Sequence, residues 1–131
     1  PVIKEVQMKL FNDESPLYLQ LRRHIEERIL ERYLRDEQAI PSLRVMARDY
    51  SLNPITVANA LSALIDEGVL YKKRGVGIFV ASGAREAIIR GRGQSFITDE
   101  LSPVLAKARQ LDIPKQQVID ILDQTYGGTD A

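Results

Sequence analysis

Residues 40–80 read IPSLRVMARDYSLNPITVANALSALIDEGVLYKKRGVGIFV, and this stretch decides the fold. Pro41-Ser42 has the form of a helix start, and Val45 or Met46, with Ala47, supplies apolar groups to the core from a helix over 42–49. Tyr50-Ser51-Leu52 makes the turn. Asn53-Pro54 opens a second helix, an Asn cap followed by proline at the first position, where a missing N–H is harmless. That helix runs over 53–67 and stops at Gly68. Val57, Ala60, Leu61 and Leu64 share one of its faces; Ile55, Thr56, Asn59 and Ala63 share another. The second face is small and nearly uncharged, which suits close approach to a groove better than an ordinary solvated helix would. Two β-prone runs, 69–73 and 78–81, then flank Arg74-Gly75-Val76-Gly77, a hairpin turn whose glycines permit positive φ and leave no side chain to block a close approach. Helix, turn, helix and basic hairpin in this order form a winged helix-turn-helix, which lays one helix in a DNA major groove.

The flanks read as support for this object. Ser15 as N-cap and Pro16 at the first position start a helix over 16–33, with Leu17, Leu21, Ile25, Ile29, Leu30 and Leu34 as its apolar stripe. Residues 6–11 suggest an edge strand or an arm, and 35–39 are polar and break the periodicity. After Gly83, residues 84–90 begin a helix and Gly91-Arg92-Gly93 is expected to interrupt it. Phe96, Leu101, Val104, Leu105, Ala108 and Leu111 resume helical spacing, with Pro103 marking an early turn or a kink. Asp112-Ile113-Pro114 is a loop. Val118, Ile119, Ile121 and Leu122 face one way on a last helix that Gly127-Gly128 closes. Two short helices with apolar faces form a helical hairpin that needs a cover. The expected fold is mainly α with a small β-wing: an arm over 1–14, a winged helix-turn-helix over 15–82 and a helical dimerisation segment over 83–131.

Composition narrows the function. Apolar residues make up 44% of the 131, enough for a modest core. No run reaches the roughly 18 apolar residues of a membrane span. PVIKEVQMKLFNDES is not a signal peptide, and the absence of cysteine fits a reducing cytoplasm and excludes disulfides and thiolate metal sites. The net charge of zero is unevenly spread, with ten Lys/Arg against eight Asp/Glu over 17–80. DNA binding needs a positive patch and not a basic whole, and Lys72-Lys73-Arg74 supplies one, although a three-residue basic run by itself reads first as a solvated hairpin.

The motifs in 16–80 resemble the GntR family of bacterial transcription regulators. They are Pro16-Leu17-Tyr18 with Gln20 and Ile25, Pro41-Ser42-x-Arg44, Asn53-Pro54-x-Thr56-Val57, Leu64 with Gly68, and Gly75-x-Gly77-x-Phe79-Val80. The Asn-Pro opening and the short two-helix tail resemble the YtrA-type subfamily, with no room for the long effector domain of other subfamilies. The resemblance implies a homodimer on a palindromic double-stranded DNA operator, with repression the favoured sign of control. It implies that Arg44 reads a base, that Asn53, Ile55, Thr56 and Asn59 meet bases and phosphates, and that Gly75 and Gly77 reach the minor groove. Dimerisation would fall to Leu101, Val104, Leu105, Ala108, Val118, Ile119 and Leu122. Four positions depart from the family pattern: Arg32, Glu37 and Ser51 stand where glycine is frequent, and Asn59 where arginine is.

The chemistry of these residues fits that role. A guanidinium at Arg44 can donate two parallel hydrogen bonds to guanine O6 and N7; the plainer alternatives are an ion pair with Asp49 or an ordinary arginine at a helix start. Ser42 and Thr56 sit at helix starts, where hydroxyls and backbone N–H groups favour phosphate, although capping alone would also explain them. Asn59 offers an amide for adenine or faces water. Lys72, Lys73 and Arg74 add nonspecific attraction. Tyr18, Tyr33, Tyr50 and Tyr71 read as core or rim. His24, the only histidine, reads as a surface residue and cannot build a metal site alone. Gly75-Val76-Gly77 lacks the setting of a dinucleotide loop. No enzyme, metal or cofactor is expected, and an effector, if one binds between subunits, has no residues to name it. The competing reading is a winged helix that binds protein instead of DNA, which zero net charge also allows.

Overall fold

The computed structural model describes residue 11 and residues 15–127; the expected arm over 1–14 lies, Phe11 aside, outside them. The chain divides into two compact units, Pro1–Arg90 and Gly91–Ala131.

The first unit holds α1 (Leu17–Leu30), α2 (Leu43–Asp49), α3 (Pro54–Asp66), β1 (Leu70–Lys73) and β2 (Gly77–Val80). The apolar face of α3 is its centre: Val57, Ala60, Leu61 and Leu64 are all buried, against Leu21, Ile25 and Ile29 of α1 and Met46 and Ala47 of α2. Leu17, expected on the α1 stripe, is exposed. Glu26 is buried on α1 and offset by Arg22 at 3.5 Å and Arg23 at 4.0 Å. Arg22 also pairs with Glu67, which ties α1 to the end of α3. His24 is half-buried, its ring edge-on to Tyr50 at 5.7 Å, so it is not the plain surface residue expected. Burial first, and then the Arg28 charge, hold its imidazole below the ordinary range.

The proline rule holds at one helix start and fails at another. Asn53 is the N-cap of α3, its Oδ1 accepting the Ile55 N–H at 2.8 Å, with Pro54 at the first position. At α1 the expected Ser15 cap is absent: Pro16, with an extended ψ of 140°, is itself the capping residue and has no side chain to cap with. Proline's fixed φ suits either position, so only a flanking side-chain acceptor distinguishes them.

The helix ends follow one pattern. After α3, Gly68 N–H bonds Ile65 O and Val69 N–H bonds Leu64 O, the paired closure that requires a left-handed residue, here Gly68 at φ 77°. The same closure ends α1, with Arg32 at φ 64°, and α2, with Ser51 at φ 55°. Glu37 adopts φ 66° as well. Thus the three positions where the sequence departs from glycine all sit in glycine's region. A side chain costs roughly 1–2 kcal/mol there, part of which is returned by the stiffer unfolded chain. Ser51 is exposed, and its side chain makes no hydrogen bond among the described residues. Ser51→Gly is therefore expected to stabilise the protein by about 0.5–1 kcal/mol, raising Tm by roughly 2–6 °C in calorimetry. An unchanged or lower Tm would show that the turn is unstrained.

The wing has an edge the sequence did not announce. β1 and β2 pair antiparallel, Leu70 opposite Val80 and Lys73 opposite Gly77. Residues 37–40, which include the end of the 35–39 segment read from sequence as polar and without periodicity, run along the other side of β2. Glu37 N–H bonds Val80 O, Val80 N–H bonds Gln38 O and Ile40 N–H bonds Ile78 O, with Ala39 bridging Phe79. Four residues ending in a single buried Ile40 are too short to show an alternating pattern.

The next helix, α4 (Ala84–Phe96), buries Ala84 and Ile88 in the first unit's core and runs on through Gly91 and Gly93, which do not break it as expected. Glycine in a helix interior weakens it by about 1 kcal/mol without forbidding it. A π turn, Ile97–Leu101, follows, in which Ser102 N–H reaches back five residues to Ile97 O. It precedes Pro103, which sits in the first turn of α5 (Ser102–Gln110) and has no N–H to donate. In the second unit α5 ends with Asp112 at φ 60°, and α6 (Lys115–Thr125) follows. Neither α5 nor α6 buries a single residue.

Candidate nucleic-acid interface

The residues singled out on the first unit gather on α2, α3 and the hairpin, and α3 packs directly on both α2 and β1. Ser42 caps α2, its Oγ accepting the Val45 N–H at 3.2 Å. The hydroxyl proton stays free to donate, so capping and a phosphate contact are compatible there. Asn53 likewise spends its carbonyl oxygen on the α3 cap and keeps its NH2 for another acceptor.

Arg44 lies exposed in the first turn of α2 and makes no hydrogen bond or ion pair with the described residues. The acid that the sequence offered as its partner, Asp49, is held by Arg48 at 3.2 Å instead. A free, exposed guanidinium on a short capped helix is a donor without an internal use.

On α3, Ile55 and Asn59 are exposed and Thr56 and Ala63 half-buried, opposite the buried Val57, Ala60, Leu61 and Leu64. The helix contains no Lys or Arg at all; its one charge, Asp66, is its last residue. Positive charge is left to its neighbours.

The hairpin tip is held by Val76 N–H to Lys73 O at 2.9 Å, with Gly75 at φ 78° and Gly77 at φ 150°, and a Cβ at either glycine would meet open space. Their requirement is backbone conformation, not clearance. The basic run is not one patch. Strand alternation puts Lys72 on the face of Leu70 and Lys73 on the face of Tyr71. Lys73 Nζ lies 5.5 Å from the centre of the Phe79 ring, and Phe79 stacks on Tyr71 at 5.6 Å with 23° between planes. Tyr71 OH donates to Glu37, and that bond above all raises the phenol's pKa. Sequence reading missed this cluster; the signal was the i, i+2 spacing of Tyr71 and Lys73 opposite Phe79.

In the second unit Leu101, Val104, Leu105 and Leu122 are exposed, and Ala108, Val118 and Ile119 are half-buried. Val104 is 63% exposed. Among the described residues no group of His, Asp and Glu is arranged to hold a metal ion, and no helix is long and apolar enough to cross a membrane.

Comparison with known proteins bears on the family and the fold. The profile of the bacterial regulatory proteins, gntR family, matches residues 17–80. The HTH-type transcriptional repressor NagR of Bacillus subtilis is 33% identical over 76 residues, 58% of this chain but only 31% of NagR. The HTH-type transcriptional repressor YtrA of the same organism is 24% identical over 104 residues, 79% of each chain. A solved GntR-family regulator from Bacteroides thetaiotaomicron superposes with a TM-score of 0.65 at 31% identity, covering 85% of this chain and 96% of its own. The DNA-binding domain of AraR, solved in complex with an operator, superposes with a TM-score of 0.52 at 27% identity, covering 55% and 93%.

Proposed function

Because the chain belongs to the GntR family of bacterial regulatory proteins, a family of transcription regulators and not of enzymes, we propose that it is a repressor. It binds a palindromic DNA operator as a homodimer, with a reading unit that extends past residue 82 to Arg90, because Ala84 and Ile88 lie in its core, and with 91–131 as the dimerisation segment. The observation that carries this reading is the outward side of α3: capped, uncharged and uncovered, beside an unpartnered Arg44. Arg44 reads guanine; Ser42, Asn53 and Thr56 position phosphates; Asn59 meets a base edge; the hairpin tip enters the minor groove. Lys72, Lys73 and Arg74 add salt-dependent attraction from both hairpin faces.

Dimerisation is supported by the second unit, where α5 and α6 carry apolar residues that are exposed among the described residues. Two copies would set two α3 helices into successive major grooves, about 34–36 Å apart.

Selection of bound sequences from a random duplex pool over a salt series tests this. An inverted repeat with that spacing, bound more weakly as salt rises, is the expected outcome. No enrichment of any duplex at low salt, together with retention of a protein partner, would overturn it in favour of a protein-binding winged helix, the reading that zero net charge also fits.

A further inference from the structure

We infer that Ile55 reads the 5-methyl group of thymine, so that each operator half-site carries a thymine facing the second residue of α3. This rests on the proposed function and adds the base chemistry at a defined position.

Ile55 is 69% exposed on a helix whose other apolar residues of comparable size are buried, as Val57, Leu61 and Leu64 are, or packed half-buried against the core, as Ile65 is. It is neither in the core cluster nor packed against it. A single residue is also too small a patch to dock a protein. Its presentation is nevertheless well fixed. The Asn53 cap holds its backbone N–H at 2.8 Å. Branching at Cβ confines an isoleucine in a helix largely to one χ1 rotamer, so little freedom is left to lose on contact. The N-terminal residues of a recognition helix are the ones that meet base edges.

In the major groove every base presents hydrogen-bonding groups, and thymine alone adds an apolar one, its methyl. An isoleucine can make no hydrogen bond through its side chain. Set against guanine, cytosine or the adenine edge it would strip water from polar groups and replace none of their bonds, which is unfavourable. Against thymine it covers methyl with methyl. Asn59, one turn further along and also exposed, keeps an amide for a neighbouring polar edge.

The experiment uses the full chain and the duplex selected from the random pool. Each thymine is replaced in turn by deoxyuridine, which removes the methyl and leaves Watson–Crick pairing intact, and affinity is read by fluorescence anisotropy. At one symmetric position the parent should lose about three- to fivefold per half-site, the worth of one buried methyl, and roughly tenfold or more when both half-sites are changed. Ile55→Ala, a change at an exposed site that leaves the core intact, should bind thymine and uracil duplexes equally well. If the parent tolerates uracil everywhere, or if Ile55→Ala stays as sensitive to uracil as the parent, Ile55 does not read thymine, although the DNA-binding function stands. A parent that enriches no duplex would overturn both.

Discussion

Ending the chain after Arg90 is expected to give a folded monomer whose operator affinity is at least about a hundredfold weaker. The position matters. A cut at residue 83 would remove Ala84 and Ile88, both buried in the first unit's core, and would confound lost dimerisation with lost folding. A cut after Arg90 follows the boundary between the compact units and keeps both side chains. What it removes is the second unit, whose helices bury nothing of their own. Without a tether between copies, the second half-site must be bound as a separate event, and the avidity of about 10²–10⁴ is forfeited. Sedimentation velocity checks the mass, circular dichroism checks the fold and anisotropy reads the affinity. A truncated chain that still sediments as a dimer would place the interface in the first unit and contradict the role given to Leu101, Val104, Leu105, Ala108, Val118, Ile119 and Leu122.

Arg44→Ala should weaken binding to the selected operator by at least about tenfold and erase the preference at one base pair in each half-site. Arg44 has no bond within the described protein, so its removal leaves no internal group unsatisfied, and the melting temperature should stay within about 1–2 °C of the parent. Loss of affinity without loss of stability therefore isolates a DNA contact. Arg44→Lys sharpens the result: a lysine retains the charge but not the planar fork, so it should restore nonspecific affinity and not base preference. If Arg44→Ala repeats the parent's selectivity at every position, Arg44 does not read a base, and discrimination must come from α3 and the hairpin.

The reading unit was legible because its signals are local. Asn53-Pro54, Gly68 and the spacing of Val57, Ala60, Leu61 and Leu64 each depend on a few neighbouring residues, and the structure keeps all of them. The losses came where the deciding partner is distant in sequence. Residues 37–40 become a strand edge only because β2, some forty positions on, offers Ile78 and Val80. His24 is half-buried because Tyr50 comes to lie against it. Gly91 and Gly93 stay helical although their local propensity argues otherwise, and Ser15 loses its capping role to Pro16 through one extended ψ angle. For the candidate site, the identities at helix starts were readable, whereas Arg44 standing free depended on Asp49 choosing Arg48. The separation of Lys72 from Lys73 was in principle readable from strand alternation.

The strand edge at 37–40 bears on how quickly the protein can engage DNA. A lone two-stranded ribbon is marginal in water and would have to freeze out as it met the duplex. Here the ribbon is stitched along its second side to the segment that leads into α2, by three backbone bonds and the Tyr71–Glu37 link. The flap and the helices thus arrive as one prebuilt tool, and the encounter carries no folding step to slow it.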